Sequence, residues 1–253
     1  MIPEIEFKEK ARTFKVPIST IERDYAQSWL LVYIPEMAFK GGTGIRKAYI
    51  DNYRFSDDLD FTLLQTRKID NIKDDTQNAL DKVRNKIGIN FLEEIKFEEV
   101  ENGYALTVYF RILRTAGDPL KIKLDITKKD NETIIRPLIK KNIYHPYSDD
   151  LQKQILVYSL EEIFAEKTRA LFERTRPRDL YDVWYLSRNT KFDSALFKTK
   201  CKFKNIVPDV ENIINRKIQF INAWENSLKH QLKELPQANE TFESVIKFLR
   251  NKI

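Results

Sequence analysis

After Ser19, Ile21, Tyr25, Trp29 and Val32 recur at helical intervals, and Ser19 with Glu22 has capping-box spacing, so the first predicted helix starts there. Met37–Lys40 leads into a glycine cluster, Gly41, Gly42 and Gly44, and residues 45–50 form a short helix. Asp57–Leu64 has the alternation of a strand. Ile72, Ala79, Leu80, Val83 and Ile87 share one face of a helix over 71–87, which Gly88 stops. Ile95–Val100 and Tyr104–Ile112 are a strand pair turned at Asn102-Gly103, Lys121–Ile126 is another strand, and a short one lies near Thr133–Ile135.

Beyond about residue 150 the period becomes helical. Leu160, Ile163, Phe164, Lys167, Leu171 and Arg174 fall on one stripe, and Pro177 opens a following helix through Leu186. Val210, Ile213, Ile214, Ile218, Ile221, Trp224 and Leu228 predict one long amphipathic helix, and Phe242, Val245, Ile246 and Leu249 a last one. The pattern predicts an α+β front half, residues 1–150, and a helical bundle, residues 151–253, with the boundary near Tyr147–Leu151.

With 253 residues, 42% of them hydrophobic, the chain can bury the core of one large domain or two small ones. No stretch has the continuous apolar length of a membrane span, and Glu4, Glu6, Lys8, Glu9 and Lys10 exclude a signal-peptide core from the first twenty residues. The single cysteine, Cys201, excludes an internal disulfide and implies a reducing, cytoplasmic setting. His145 and His230 have no ligand-like spacing, which points any metal toward a hard, oxygen-bound ion such as magnesium. The net charge of +6 gathers at Lys121, Lys123, Lys128, Lys129, Arg136, Lys140 and Lys141, and again at Lys198, Lys200, Lys202 and Lys204. A polyanion partner and a solvated lysine-rich surface account for this equally well.

The chemistry gathers on two strands. Alternation puts Leu59, Phe61 and Leu63 toward a core and Asp58, Asp60 and Thr62 toward a cleft. Paired carboxylates on one strand repel unless a cation lies between them. Parity likewise puts Asp125 and Lys123 opposite Ile122, Leu124 and Ile126. If the strands are neighbours, Asp58, Asp60 and Asp125 form a cluster able to hold two metal ions around a triphosphate. Gly41 and Gly42 let backbone N–H groups approach phosphate, the following helix presents its positive end, and Thr43 adds a hydroxyl donor. A second group comprises Lys167, Arg174, Arg178, Asp179 and Asp182. A lysine on an apolar stripe needs an anion: a triphosphate or a carboxylate supplies it, and so does a structural ion network between domains.

Lys40-Gly41-Gly42-Thr43, the string Arg54-Phe55-Ser56-Asp57-Asp58-Leu59-Asp60-Phe61 and Arg178-Asp179-Leu180-Tyr181-Asp182 together resemble the AbiEii/AbiGii toxin family, a branch of the DNA polymerase β-like nucleotidyltransferases, from about Glu22 to Leu186. The resemblance implies a nucleotidyltransferase core with a mixed sheet and flanking helices, followed by a helical domain. It implies a bacterial or archaeal toxin with an antitoxin encoded nearby, binding a nucleoside triphosphate with Mg2+ or Mn2+ and modifying RNA, with the tRNA 3′ end as the expected acceptor. By motif, Asp58, Asp60 and Asp125 become metal ligands, Lys167 the family's helical lysine, and Asp179 and Asp182 the Arg-Asp-x-Tyr-Asp element. Thr43 stands where the wider superfamily has serine, and Gly44 where the family often has alanine. A non-catalytic nucleotide-binding module that keeps the fold is the alternative; the intact carboxylate set argues against it.

Overall fold

The computed structural model describes all residues, Met1–Ile253. The chain divides into two compact units: Met1–Glu132 with Leu138–Tyr158, and Thr133–Pro137 with Ser159–Ile253. The first carries α1 (Glu4–Phe14), α2 (Ile18–Tyr33), β1 (Ala38–Lys40), α3 (Gly41–Ala48), β2 (Asp58–Thr62), α4 (Ile69–Ile87), β3 (Asn90–Val100), β4 (Gly103–Arg111), β5 (Leu120–Thr127), β6 (Ile139–Asn142) and β7 (Gln154–Val157). The second carries α5 (Leu160–Glu173), α6 (Pro177–Asn189), α7 (Ser194–Phe203), α8 (Val210–Ile214), α9 (Lys217–Leu228) and α10 (Ala238–Lys252). The fold class is mixed α+β. No helix is long and apolar enough to cross a membrane.

One seven-stranded sheet runs in the order β3-β4-β5-β2-β1-β7-β6. β2 lies parallel to β5 and β1 parallel to β7; the other pairs are antiparallel. Alternation sorts the central strands: Leu59, Phe61, Leu106, Val108, Ile122, Leu124 and Ile126 are all buried. Burial of Ile21, Tyr25 and Leu30 on α2, and of Leu80 and Val83 on α4, extends this core.

Several elements differ from the sequence pattern, each for a tertiary reason. α2 begins after Pro17 without a side-chain cap; Glu22 is buried and instead accepts the Leu113 N–H at 2.9 Å. Thr133–Ile135 forms no strand, because the Ile135 and Arg136 N–H groups donate to the Glu162 carboxylate, each at 2.9 Å. β7 extends the sheet beyond residue 150, where only helices are expected. The helix predicted over 210–228 breaks at Asn215–Arg216, where Arg216 leaves helical geometry and donates to Thr175 Oγ1 and the Leu171 carbonyl. Gly88, with φ +76°, caps α4 as expected.

A buried ion cluster joins α2 to α3. Asp24 is 2% exposed; its carboxylate meets Arg46 Nε at 2.9 Å and Lys47 Nζ at 2.8 Å and accepts from the Tyr147 hydroxyl. Burial alone would raise the Asp24 carboxyl, but Lys47 and Arg46 outweigh it and hold it well below the usual carboxylate range. Asp24→Ala leaves two buried cations without a counter-charge and costs about 3–5 kcal/mol, read as a lower urea midpoint. Lys8→Ala, which removes an exposed pair with Glu4, leaves the midpoint unchanged.

Candidate functional site

The parity rule and the sheet order together assemble the carboxylates. β2 and β5 pair in parallel with Asp60 opposite Asp125 and Asp58 opposite Lys123. On the other side, Lys40 of β1 lies opposite Asp60. One row across three strands thus reads Lys40, Asp60, Asp125, with Ala105 of β4 facing Asp125 beyond it. Asp58, Asp60, Lys123 and Asp125 are all half-buried, while the intervening Leu59, Phe61 and Leu124 are buried. Lys123 Nζ lies 2.8 Å from Asp125 Oδ1, so an ammonium already offsets part of the negative charge. No three His, Cys, Asp or Glu side chains converge into a ready-formed metal cluster. Thr62 departs from the expectation: it is fully buried and accepts from the Tyr158 hydroxyl at 2.9 Å.

The glycine turn is fitted against these carboxylates. Gly41 has φ +73°, a conformation that favours glycine. A Cβ at Gly41 would fall 2.0 Å from Asp60 Oδ2, and one at Gly42 would fall 2.7 Å from an Arg54 guanidinium nitrogen and 3.1 Å from Ser56 Oγ. Bare backbone is therefore required on both the carboxylate and the arginine side. Thr43 is fully buried; its hydroxyl donates to the Asp58 carbonyl at 2.5 Å, tying α3 to the strand that carries the acids. α2 secures the loop from below: Gln27 Nε2 donates to the Ser56 carbonyl at 3.0 Å, and Arg23 pairs with Asp57 at 2.6 Å. Periodicity singles out neither Lys40 nor Arg54. Both are buried, at 8% and 2% exposure, and Lys40 Nζ sits 5.4 Å over the Tyr158 ring. A cation next to a glycine pair, with no apolar period to explain it, is the signal that marks Lys40; Arg54 meets Gly42 only in the fold.

The second group assembles within the helical unit. Lys167 Nζ lies 2.9 Å from Asp179 Oδ1 and 2.9 Å from Asp182 Oδ2, and Arg174 Nε lies 2.8 Å from Asp179 Oδ2. Arg174 is not on the α5 stripe but caps its C-terminus in extended conformation, which turns its side chain back to α6. Arg178 is half-buried near the start of α6. Burial would raise the Asp179 carboxyl; Lys167 first and then Arg174 reverse that and hold it well below the usual range. The lysine row of α7 does not form. A helix turns successive residues to different sides, so Lys198 and Lys202 are exposed while Lys200 is fully buried, 2.8 Å from Glu162 and 2.9 Å from Glu166. Lys200 also donates to the Thr133 carbonyl and so holds the chain of Thr133–Pro137 within this unit.

The sequence profile of the AbiEii family, described as a nucleotidyl transferase toxin of type IV toxin–antitoxin systems, matches residues 26–248. The chain belongs to the AbiEii nucleotidyltransferase toxin family. No curated protein matches it significantly. Solved structures share its fold. MenT4, a nucleotidyltransferase toxin from Mycobacterium tuberculosis, is similar with a TM-score of 0.64 at 17% identity, over 98% of this chain and 88% of that one. JHP933 from Helicobacter pylori is similar with a TM-score of 0.59 at 17% identity, over 94% of each chain. The matched residues include both the glycine turn against β2 and the α5–α6 ion cluster around Lys167.

Gly41→Ala forces a Cβ into Asp60 from a left-handed backbone, so it lowers both melting temperature and transferase activity. Gly88→Ala, where nothing lies within 4 Å, costs only the backbone strain of about 1–2 kcal/mol and leaves activity intact. Parallel melting and activity curves for the two variants test this. A depressed carboxyl stabilises the fold above its unfolded pKa of about 3.9 and loses that contribution as pH falls. Lys167→Met lets Asp179 titrate at higher pH, so the acid-unfolding midpoint, followed by circular dichroism, moves upward.

Proposed function

We propose that this AbiEii toxin transfers a nucleoside monophosphate from a nucleoside triphosphate to an RNA acceptor, the 3′ end of a tRNA, in the presence of Mg2+ or Mn2+, acting in the cytoplasm beside a cognate antitoxin. The observation that carries the reading is the register of β2 and β5, which sets Asp60 against Asp125 with Asp58 on the same face. Side-by-side carboxylates are hard oxygen donors whose mutual repulsion a divalent cation relieves, so the residues fit Mg2+ or Mn2+, with Lys123 competing at Asp125. When bound, such ions lower the pKa of the attacking hydroxyl and neutralise charge on the triphosphate.

In this reading Asp58, Asp60 and Asp125 hold the metal. Gly41 and Gly42 offer backbone N–H groups to phosphate at the positive end of α3. Thr43 acts through Asp58, by fixing its strand. Lys167, Arg174 and Arg178 are the phosphate ligands of the helical unit, and Asp179 with Asp182 hold the Lys167 ammonium in place.

The test incubates the pure protein with total RNA and each α-labelled triphosphate, with and without Mg2+. Metal-dependent labelling of RNA in the size range of tRNA is expected, and absence of labelling with all four triphosphates overturns the reading. Asp60→Ala abolishes labelling without lowering the melting temperature, because loss of one carboxylate relieves repulsion with Asp125. Wild-type labelling by this variant removes Asp60 from the metal site.

A further inference from the structure

The chain has three tryptophans, and two are ordinary core residues. Trp29 and Trp224 are 5% and 3% exposed, and each indole N–H donates inside the protein, to Asp149 and to the Pro236 carbonyl. Trp184, on α6, is half-buried, and its N–H meets no protein acceptor. Tyr185 beside it is also half-buried; the Trp184 and Tyr185 rings lie 5.6 and 6.1 Å from that of Tyr181. One turn on, the exposed Arg188 lays its guanidinium 4.4 Å over the Trp184 ring. It donates to the Trp184 carbonyl and the Ser244 hydroxyl and has no carboxylate partner.

The free charge that α6 itself presents beside these rings is positive. Asp179 and Asp182 are buried and bound by Lys167, with Arg174 adding a second cation to Asp179. Arg176 is exposed just before α6, and Arg178 begins the stripe that continues through Tyr181 and Tyr185 to Arg188, a rise of about 15 Å. Half-buried flat rings with an unused N–H, flanked by arginine on a helix whose own carboxylates are buried and paired, have the chemistry of a stacking platform for unpaired nucleobases. A duplex keeps its bases stacked on one another and offers a free π-face only at its two end pairs.

We propose that this face of α6 seats the single-stranded end of the RNA acceptor, with bases stacked on Trp184 and Tyr185 and Arg188 against the adjoining phosphate. The proposal rests on the reading that the acceptor is RNA, and it assigns residues that neither the carboxylate site nor the Lys167 cluster uses.

Tryptophan fluorescence tests it directly, because Trp29 and Trp224 are shielded. The wild-type protein is titrated with a mixed-sequence single-stranded RNA dodecamer in EDTA without nucleotide, and with the same sequence as a blunt duplex. Single-stranded RNA quenches the emission and the duplex does not. Trp184→Phe loses the quenching but keeps the affinity, since a phenyl ring still stacks and fills the same place. Trp184→Ala weakens binding about tenfold. Arg188→Ser reduces the salt dependence by about 0.7 in the log–log slope. Undiminished quenching in Trp184→Phe, unchanged affinity in Trp184→Ala, or equal binding of duplex overturns the proposal. If the dodecamer fails to bind, the platform is excluded, while nucleotide transfer remains measurable against the Asp60→Ala blank. Binding with quenching but without transfer sustains the platform and overturns the reaction.

Discussion

The contact of Asp24 with Arg46 and Lys47 is the constraint on which the carboxylate site depends. Removing three ionic groups from water costs several kcal/mol each, and only close mutual pairing offsets it. α2 and α3 therefore lock at one separation. Burial pushes the Lys47 ammonium down to about 8 despite the opposing attraction of Asp24, while Asp24 itself stays a carboxylate. Arg46 extends the lock by lying 3.7 Å over the Phe55 ring and donating to the Tyr53 carbonyl. The same helix α2 holds Ser56 through Gln27 and Asp57 through Arg23. The two ends of the glycine-to-aspartate segment are thus fixed from one helix, which lets Gly41 press its bare backbone on Asp60.

The helical unit repeats the principle with different partners. Lys167 is bound between Asp179 and Asp182, and Lys200 between Glu162 and Glu166. Both lysines are costly to bury and both are fully compensated, yet their surroundings differ. Lys200 is sealed and also holds the Thr133 carbonyl, a purely structural employment. Lys167 keeps 13% of its side chain exposed, where Lys200 keeps none. MenT4 and JHP933 share this fold at 17% identity, as a core specified by hydrophobic patterning rather than by particular side chains allows.

Local physics alone determined a good deal of this protein. Period-two alternation placed Leu59 and Phe61 inward and Asp58 and Asp60 outward, and the same parity sorted Asp125 from Leu124, because a strand leaves each residue only two sides. Gly88 ended α4 because a left-handed cap is a property of a few neighbouring residues. The glycine pair, the acid strings and the Lys167 and α6 motifs were visible as strings. Tertiary structure decided what local pattern does not encode. It set β2 beside β5, so that Asp60 met Asp125. It spent Glu22 and Glu162 on backbone N–H groups from distant segments, and so moved a helix start and erased a strand near Thr133. It buried Lys200 amid exposed lysines, broke α8 from α9 at Arg216, and put Thr62 under Tyr158. In each case the deciding partner lies far away in sequence, and a buried polar group takes whichever partner the packing brings within reach.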